Sequence, residues 1–270
     1  MKSDQQPPAL ANFLRRVPAA EFKPPAFVLA GHNGSGKSTM WQDRLSGVLQ
    51  IPLINADRLT ESILPARDSH TKRLPEWAQR LRDHDERWQS LSQQGVQAFT
   101  SIAIEKGIPF AFETVFSHWK LKADGSHESK IDLLLRMQRS GYFTVLLFVG
   151  LASVDLSIMR VETRKSTGGH GVPLDKLHER FPRTQAAIAA AALVADMTLM
   201  FDNSREEENA FSLVRAQQKN KVLFDCRDPT YRIDAKLRAV ATLWLTKVAG
   251  PWSQSGMANT RTRKPARRSK

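Results

Sequence analysis

The sequence has one cysteine, Cys226, among 270 residues. A lone thiol closes no intrachain disulfide and builds no zinc ribbon. A disulfide-stapled secreted scaffold is therefore excluded, and a reducing compartment is expected. Long apolar runs are also missing. The most apolar stretch, Tyr142 to Ala152, falls far short of the roughly 20 residues that a membrane-spanning helix requires. The N-terminal MKSDQQPPALANFLRR contains no apolar segment of signal-peptide type. These absences lead to the expectation of a soluble, cytoplasmic protein with no membrane partner. The seven histidines show neither HExxH nor any paired ligand spacing, so they read as surface or loop residues, with His170 alone near the chemistry proposed below. No Ser-His-Asp or Cys-His arrangement emerges from spacing, and there is no internal repeat.

What is present suits a globular domain: 41% hydrophobic residues and 25% charged. The net charge is +13, and six of the basic groups lie in the closing RTRKPARRSK, which holds no acid. Setting those aside leaves the rest of the chain at +7. A basic body favours anionic partners such as nucleotides, phosphorylated metabolites or nucleic acid.

Along the chain, residues 1–25 are Pro-rich and read as an N-terminal arm outside the core. Apolar runs at Ala26–Ala30, Pro52–Asn55, Phe110–Phe112, Tyr142–Val149 and Met197–Phe201 read as buried strands, with helical patterns between them. Residues 66–90 form a charged, mostly helical insertion, 118–127 a loop, and 166–172 (STGGHGV) a Gly-rich hinge before a helix running to about Ala195. The Ala-rich run 186–195 reads as helix packing. A further short strand at Lys221–Phe224 and a helix at Asp234–Val248 close a C-terminal extension, 205–250. Residues 251–270 read as a basic, disordered tail. Strands alternating with helices predict an α/β fold: a parallel sheet of about five strands, helices on both faces and a helical lid, in a domain spanning 26–250.

The strongest motif is Gly31-His32-Asn33-Gly34-Ser35-Gly36-Lys37-Ser38, followed by Thr39. It fits G-x-x-x-x-G-K-[ST] and lies between a strand and a helix. Glycines let the loop turn its amides toward phosphate, and the next helix points its positive end there. Lys37 would reach the β- and γ-phosphates of ATP, and the Ser38 hydroxyl would ligate Mg²⁺. Asp57 follows the second strand, at the sheet edge where α/β proteins bind ligands. It suits a general base for an alcohol acceptor, or equally a helix N-cap. Glu113, closing the third strand, could orient an acceptor or hold a Mg²⁺-bound water, or it could be a solvated strand end. Arg160 and Arg164 share a helix face, and Arg180 and Arg183 lie beyond the hinge. Guanidiniums over the γ-phosphate would neutralise its charge, although a chain this basic also yields arginine pairs by chance. No LSGGQ element is visible, nor a plain apolar strand ending in a lone Asp of the motor-ATPase kind. Both absences favour a small-substrate kinase.

Taken together, LAGHNGSGKST at 29–39, INAD at 54–57, FAFET at 110–114, GGHGVP at 168–173, Arg180-Phe181-Pro182-Arg183 and FDNS at 201–204 resemble the zeta-toxin family of P-loop kinases over roughly residues 26–204. The resemblance implies an adenylate-kinase-like fold, ATP with Mg²⁺ at Gly31 to Thr39, and Asp57 as the base beside Asn55. It places Glu113 and Thr114 at the acceptor. Arg160 matches the family's phosphate-binding arginine, with Arg164, Arg180 and Arg183 as candidates for a second, and Asn203 falls near the nucleotide base. It further implies transfer to UDP-N-acetylglucosamine, a toxin role and a small antitoxin partner. The insertion at 66–90 and the basic tail depart from the shorter family members. Two rival readings remain. One is a nucleic-acid-directed kinase that holds a strand with the tail and Trp77 or Trp88. The other is a non-catalytic, ATP-dependent binding protein.

Overall fold

The structure is a computed structural model and describes residues 5–71, 73–125 and 127–252. The basic tail from 253 lies outside the described residues. Helix α1 (Leu10–Leu14) precedes the sheet, and the expected arm turns out to contribute to the core. Phe13 is buried, and Leu10, Leu14 and Val17 pack beside it. That i, i+3, i+4, i+7 spacing is the signal of an amphipathic turn, which the surrounding prolines obscure.

Strand β1 (Pro25–Gly31) is buried at all seven positions, as expected for a strand covered on both faces. The chain then passes through α2 (Lys37–Met40), a π-helical turn at Trp41–Leu45 and α3 (Ser46–Leu49) to reach β2 (Leu53–Ile54) and α4 (Ala56–Ser62). The charged insertion supplies α5 (Glu76–His84), and α6 (Glu86–Glu105) starts at Asp85, whose carboxylate accepts the Trp88 amide at 2.8 Å. After β3 (Phe110–Thr114), the segment expected as a loop forms an antiparallel hairpin, β4 (Trp119–Leu121) and β5 (His127–Ser129). Next come α7 (Ile131–Arg139), β6 (Phe143–Gly150), α8 (Val154–Ser166), α9 (Leu174–Val194) and β7 (Met197–Asp202). The chain closes with β8 (Ser212–Gln218), β9 (Lys221–Asp225) and α10 (Ala235–Ala249).

The main sheet has seven strands in the order β2-β3-β1-β6-β7-β8-β9. The first five are parallel, and they are the five strands the sequence predicts. The last two extend the sheet antiparallel, and β8 had no counterpart in the expectation. Its centre carries Arg215 and Gln217, both buried, so the apolar pattern is broken. Arg215 is tolerated there because it ion-pairs with Asp225 of β9, while Gln217 donates to the Ala192 carbonyl at 2.8 Å.

The C-terminal extension belongs to the same core. Trp244 of α10 is buried and meets Phe148 edge-on at 5.4 Å, and its indole donates to Asp202 Oδ1 at 2.9 Å. Asp202, at the end of β7, also accepts from the Ser204 hydroxyl at 2.8 Å. Its carboxylate therefore ties α10 to the sheet. Among the described residues, no helix is long and apolar enough to cross a membrane. The Ala-rich stretch packs as expected, with Ala187, Ala191, Ala192 and Ala195 all buried.

Candidate active site

The loop after β1 is held from behind by side chains. Lys37 Nζ donates to the Gly31 and His32 carbonyls at 3.0 and 2.9 Å. Ser157 of α8 donates to the Asn33 carbonyl at 2.7 Å, and Asn203 donates to the Ser35 carbonyl at 2.9 Å. With four carbonyls turned outward and bound, the amides of Gly34 and Gly36 are left with no acceptor among the described residues. Such a nest of amides at a helix start is an anion-binding arrangement. Gly36 has φ +86°, and a Cβ there would lie 2.7 Å from Asn203 Nδ2, so glycine is required on both counts.

Burial lowers the Lys37 pKa and Arg164 adds to the effect, while Glu113 and Asp57 oppose it. Asn33, Gly34, Gly36, Lys37, Ser38 and Thr39 line a cavity of about 850 Å³, a size suited to a nucleotide with a second small molecule. Gly31, His32 and Ser35 form the loop's back and do not line it.

The neighbouring strand ends bring carboxylates to the same cavity. Asn55, at the end of β2, caps α4 by accepting the Arg58 amide at 3.1 Å. The cap is thus Asn55 rather than Asp57, and the Asp57 carboxylate is left exposed on the cavity wall. Glu113 of β3 is bracketed: Oε1 accepts from the Ser38 hydroxyl at 2.8 Å and Oε2 from Asn55 Nδ2 at 2.6 Å. It is therefore a bridge between the loop and the second strand, where a solvated strand end was the alternative. Thr114 also lines the cavity.

The lid side is built from α8, the hinge and α9. Arg160, Arg164, Arg180 and Arg183 all reach the cavity wall. Burial depresses the Arg160 pKa, opposed by Asp202. Arg164 donates to the His170 carbonyl at 2.7 Å, and Arg183 pairs with Glu179 at 2.9 Å. The hinge is clamped by the charged insertion. His170 Nδ1 lies 2.8 Å from Asp83 Oδ1, and Asp83 accepts from Nε and Nη2 of Arg82, at 2.7 and 3.0 Å. Arg67 and Arg82 both donate to the Gly168 carbonyl, at 2.8 and 3.4 Å, and both pair with Glu61. Burial works to raise the Asp83 pKa, but its hydrogen bonds from Arg82 and His170 prevail and hold it low.

Most sequence-predicted residues therefore converge on one cavity, but Gly31, His32, Ser35 and Asn203 do not line it, and two expectations about histidines differ from the structure. The Asn203 amide donates to the Ser35 carbonyl of the loop. The His32 side chain, expected at the surface, is 2% exposed because Phe181 covers it. His170 is also not the sole histidine nearby, since His118 lines the cavity as well. The structure adds Gln93, Val96 and Lys130, none of which belongs to a motif. Among the described residues, no cluster of three His, Cys, Asp or Glu side chains could cage a metal. The site instead offers hard oxygen donors, the Ser38 hydroxyl beside carboxylates. That set fits a magnesium ion carried in on phosphates, with the protein supplying one or two ligands.

The zeta toxin family model matches residues 11–211. A search of the curated proteins returns no match. Among solved structures, the AvrRxo1-ORF1:-ORF2 complex with ATP is 13% identical, covering 84% of this chain and 77% of that one, with a TM-score of 0.50. The likeness is one of fold. A protein of the PezAT chromosomal toxin-antitoxin system of Streptococcus pneumoniae is 14% identical over 92% of this chain and 88% of that one, with a TM-score of 0.49.

Proposed function

The chain belongs to the zeta toxin family, and from that premise we propose that it is an ATP-dependent kinase that phosphorylates a hydroxyl of a small acceptor, a nucleotide sugar such as UDP-N-acetylglucosamine. The observation that carries this reading is the single cavity shared by the amide-lined loop, the exposed Asp57 carboxylate and four lid arginines. Gly34, Gly36 and the start of α2 bind the ATP phosphates. Lys37, held by the Gly31 and His32 carbonyls, is within reach of the β- and γ-phosphates. Ser38 and Glu113 would hold Mg²⁺, which when bound neutralises phosphate charge.

Asp57 accepts the proton of the acceptor hydroxyl as its oxygen attacks the γ-phosphorus in line and ADP leaves. Asn55 and Thr114 orient the acceptor beside Asp57. Arg160, with Arg164, Arg180 or Arg183, stabilises charge on the transferring group. The clamped hinge holds α9 over the site and keeps water out, which limits ATP hydrolysis. The family reading also proposes a small antitoxin protein that occludes the nucleotide site, and action in the cytoplasm.

The experiment is incubation of the full chain with labelled ATP and a metabolite extract, followed by mass spectrometry. A phosphorylated small molecule that is absent with Asp57→Ala supports the reading. ATP binding without any phosphorylated product overturns it in favour of a binding protein.

A further inference from the structure

Lys130 belongs to no motif and is the N-cap of α7, directly after the β4–β5 hairpin. Its ammonium lies on the cavity wall, 5.4 Å from the centroid of the Phe112 ring on β3. The ring faces and supports the charge but does not neutralise it. Lys130 forms no ion pair or side-chain hydrogen bond among the described residues. Burial lowers its pKa, and no acid among the described residues opposes the shift. A half-buried ammonium without an anion is a cost to the free protein unless a ligand supplies the counter-charge.

The rest of the wall does not supply it. Seven lysines and arginines line the cavity against three carboxylates. Glu179 is already shared by Lys176 and Arg183, and Glu113 by Ser38 and Asn55. A magnesium nucleoside triphosphate brings a net charge of about −2, concentrated at its phosphates near the loop. An excess of cation therefore remains for the second ligand, and Lys130 with Phe112, Gln93 and Val96 lies on wall that the phosphate loop does not form.

We propose that Lys130 is a specificity residue of the acceptor site, binding an anionic group, phosphate or carboxylate, carried by the acceptor. The proposal rests on the kinase reading for the word acceptor, but the binding it describes is measurable without it. The ammonium anchors the charged end, and the reacting hydroxyl is then presented toward Asp57. A neutral alcohol lacking that charge is a poor ligand.

The test uses the full chain and two probes, pyrophosphate and malonate, titrated by calorimetry. A Lys37→Ala background weakens the phosphate loop as an alternative seat, and whatever binding its amides keep is common to the Lys130 variants compared. In that background, Lys130→Met, which keeps an unbranched apolar side chain but no charge, weakens at least one probe tenfold or more, and Lys130→Arg recovers most of the loss. Thermal melting of each variant verifies folding. Equal probe affinity in Lys130→Met, or no binding of either probe with Lys130 intact, overturns the proposal. Binding of a non-hydrolysable ATP analogue to the chain with and without Lys37→Ala is measured separately. Failure there removes the nucleotide reading and leaves the Lys130 comparison standing.

Discussion

The imidazole of His32 lies flat on the ring of Phe181, with centroids 3.8 Å and planes 12° apart, while Phe148 meets it edge-on at 5.7 Å. His32 belongs to the phosphate loop and Phe181 to α9, which carries Arg180 and Arg183. The stack is a direct mechanical link between the loop and the arginine-bearing helix. Both imidazole nitrogens are buried and find no hydrogen-bond partner among the described residues. Burial, aided by the charge of Lys37, pushes the His32 pKa down to about 3.

That depression makes stability depend on pH. Below its ordinary pKa of 6.5, His32 takes up a proton in the unfolded chain but stays neutral in the folded one. Its contribution is therefore complete above 6.5 and is lost as pH falls toward 3. Between pH 7.5 and 5.5, wild type should lose roughly 1 kcal/mol more than His32→Phe. Urea denaturation at the two pH values reads the difference. Parallel losses in the two proteins would contradict the neutral, buried imidazole.

Phe181→Ala removes the other half of the stack from a buried site. A loss of about 3 kcal/mol of stability is expected. Turnover should fall by more than nucleotide affinity, because Arg180 and Arg183 lose their fixed relation to the loop. Chemical denaturation with steady-state kinetics separates the two effects.

Lys37→Ala and Asp57→Ala should both abolish transfer, for different reasons. The first weakens ATP binding strongly. The second leaves ATP affinity near wild type and lowers transfer by about 10²–10⁴-fold, the range of a lost general base. Full transfer by Asp57→Ala would remove the base assignment.

Asn55→Asp keeps an oxygen to cap α4 but replaces the amide that donates to Glu113 at 2.6 Å with a second carboxylate. Helix content and melting should change little, since Asp caps as well as Asn. Activity should fall at least tenfold as Glu113 is repelled from Ser38. Circular dichroism beside a transfer assay checks both halves.

Removal of residues 253–270 takes away six basic groups. Transfer to a small acceptor should be unchanged by it. A loss of activity together with salt-sensitive polynucleotide binding would favour the nucleic-acid-directed kinase.

The sequence showed the parallel sheet because β1, β3, β6 and β7 each carry a mostly apolar run, and showed the loop because its glycines and Lys37 have fixed spacing. β8 stayed hidden because Arg215 and Gln217 interrupt its apolar pattern, and their partners Asp225 and Ala192 are distant in sequence. The β4–β5 hairpin had a readable signal in Asp124-Gly125, a turn pair that sits between its strands. Its strands are only three residues long and mostly polar, so period-2 alternation had little to show.

In the site, Asp57, Glu113 and the arginines were legible as charged residues at element ends. The Asn55 cap, the Glu113 bridge and the His170–Asp83 clamp were not, since each joins side chains brought together only by folding. Lys130 and Gln93 carry no local pattern at all.

Trp244 presses its indole directly onto Gly150, so closely that a Cβ there would lie 2.6 Å away. The family match ends at residue 211, ahead of this helix and of β8 and β9. A fragment trimmed to the matched region would strip the cover from β6 and leave β7 as a raw sheet margin, open to pairing with other copies. The useful minimal enzyme is longer than its recognisable signature, and expression designs should run past α10.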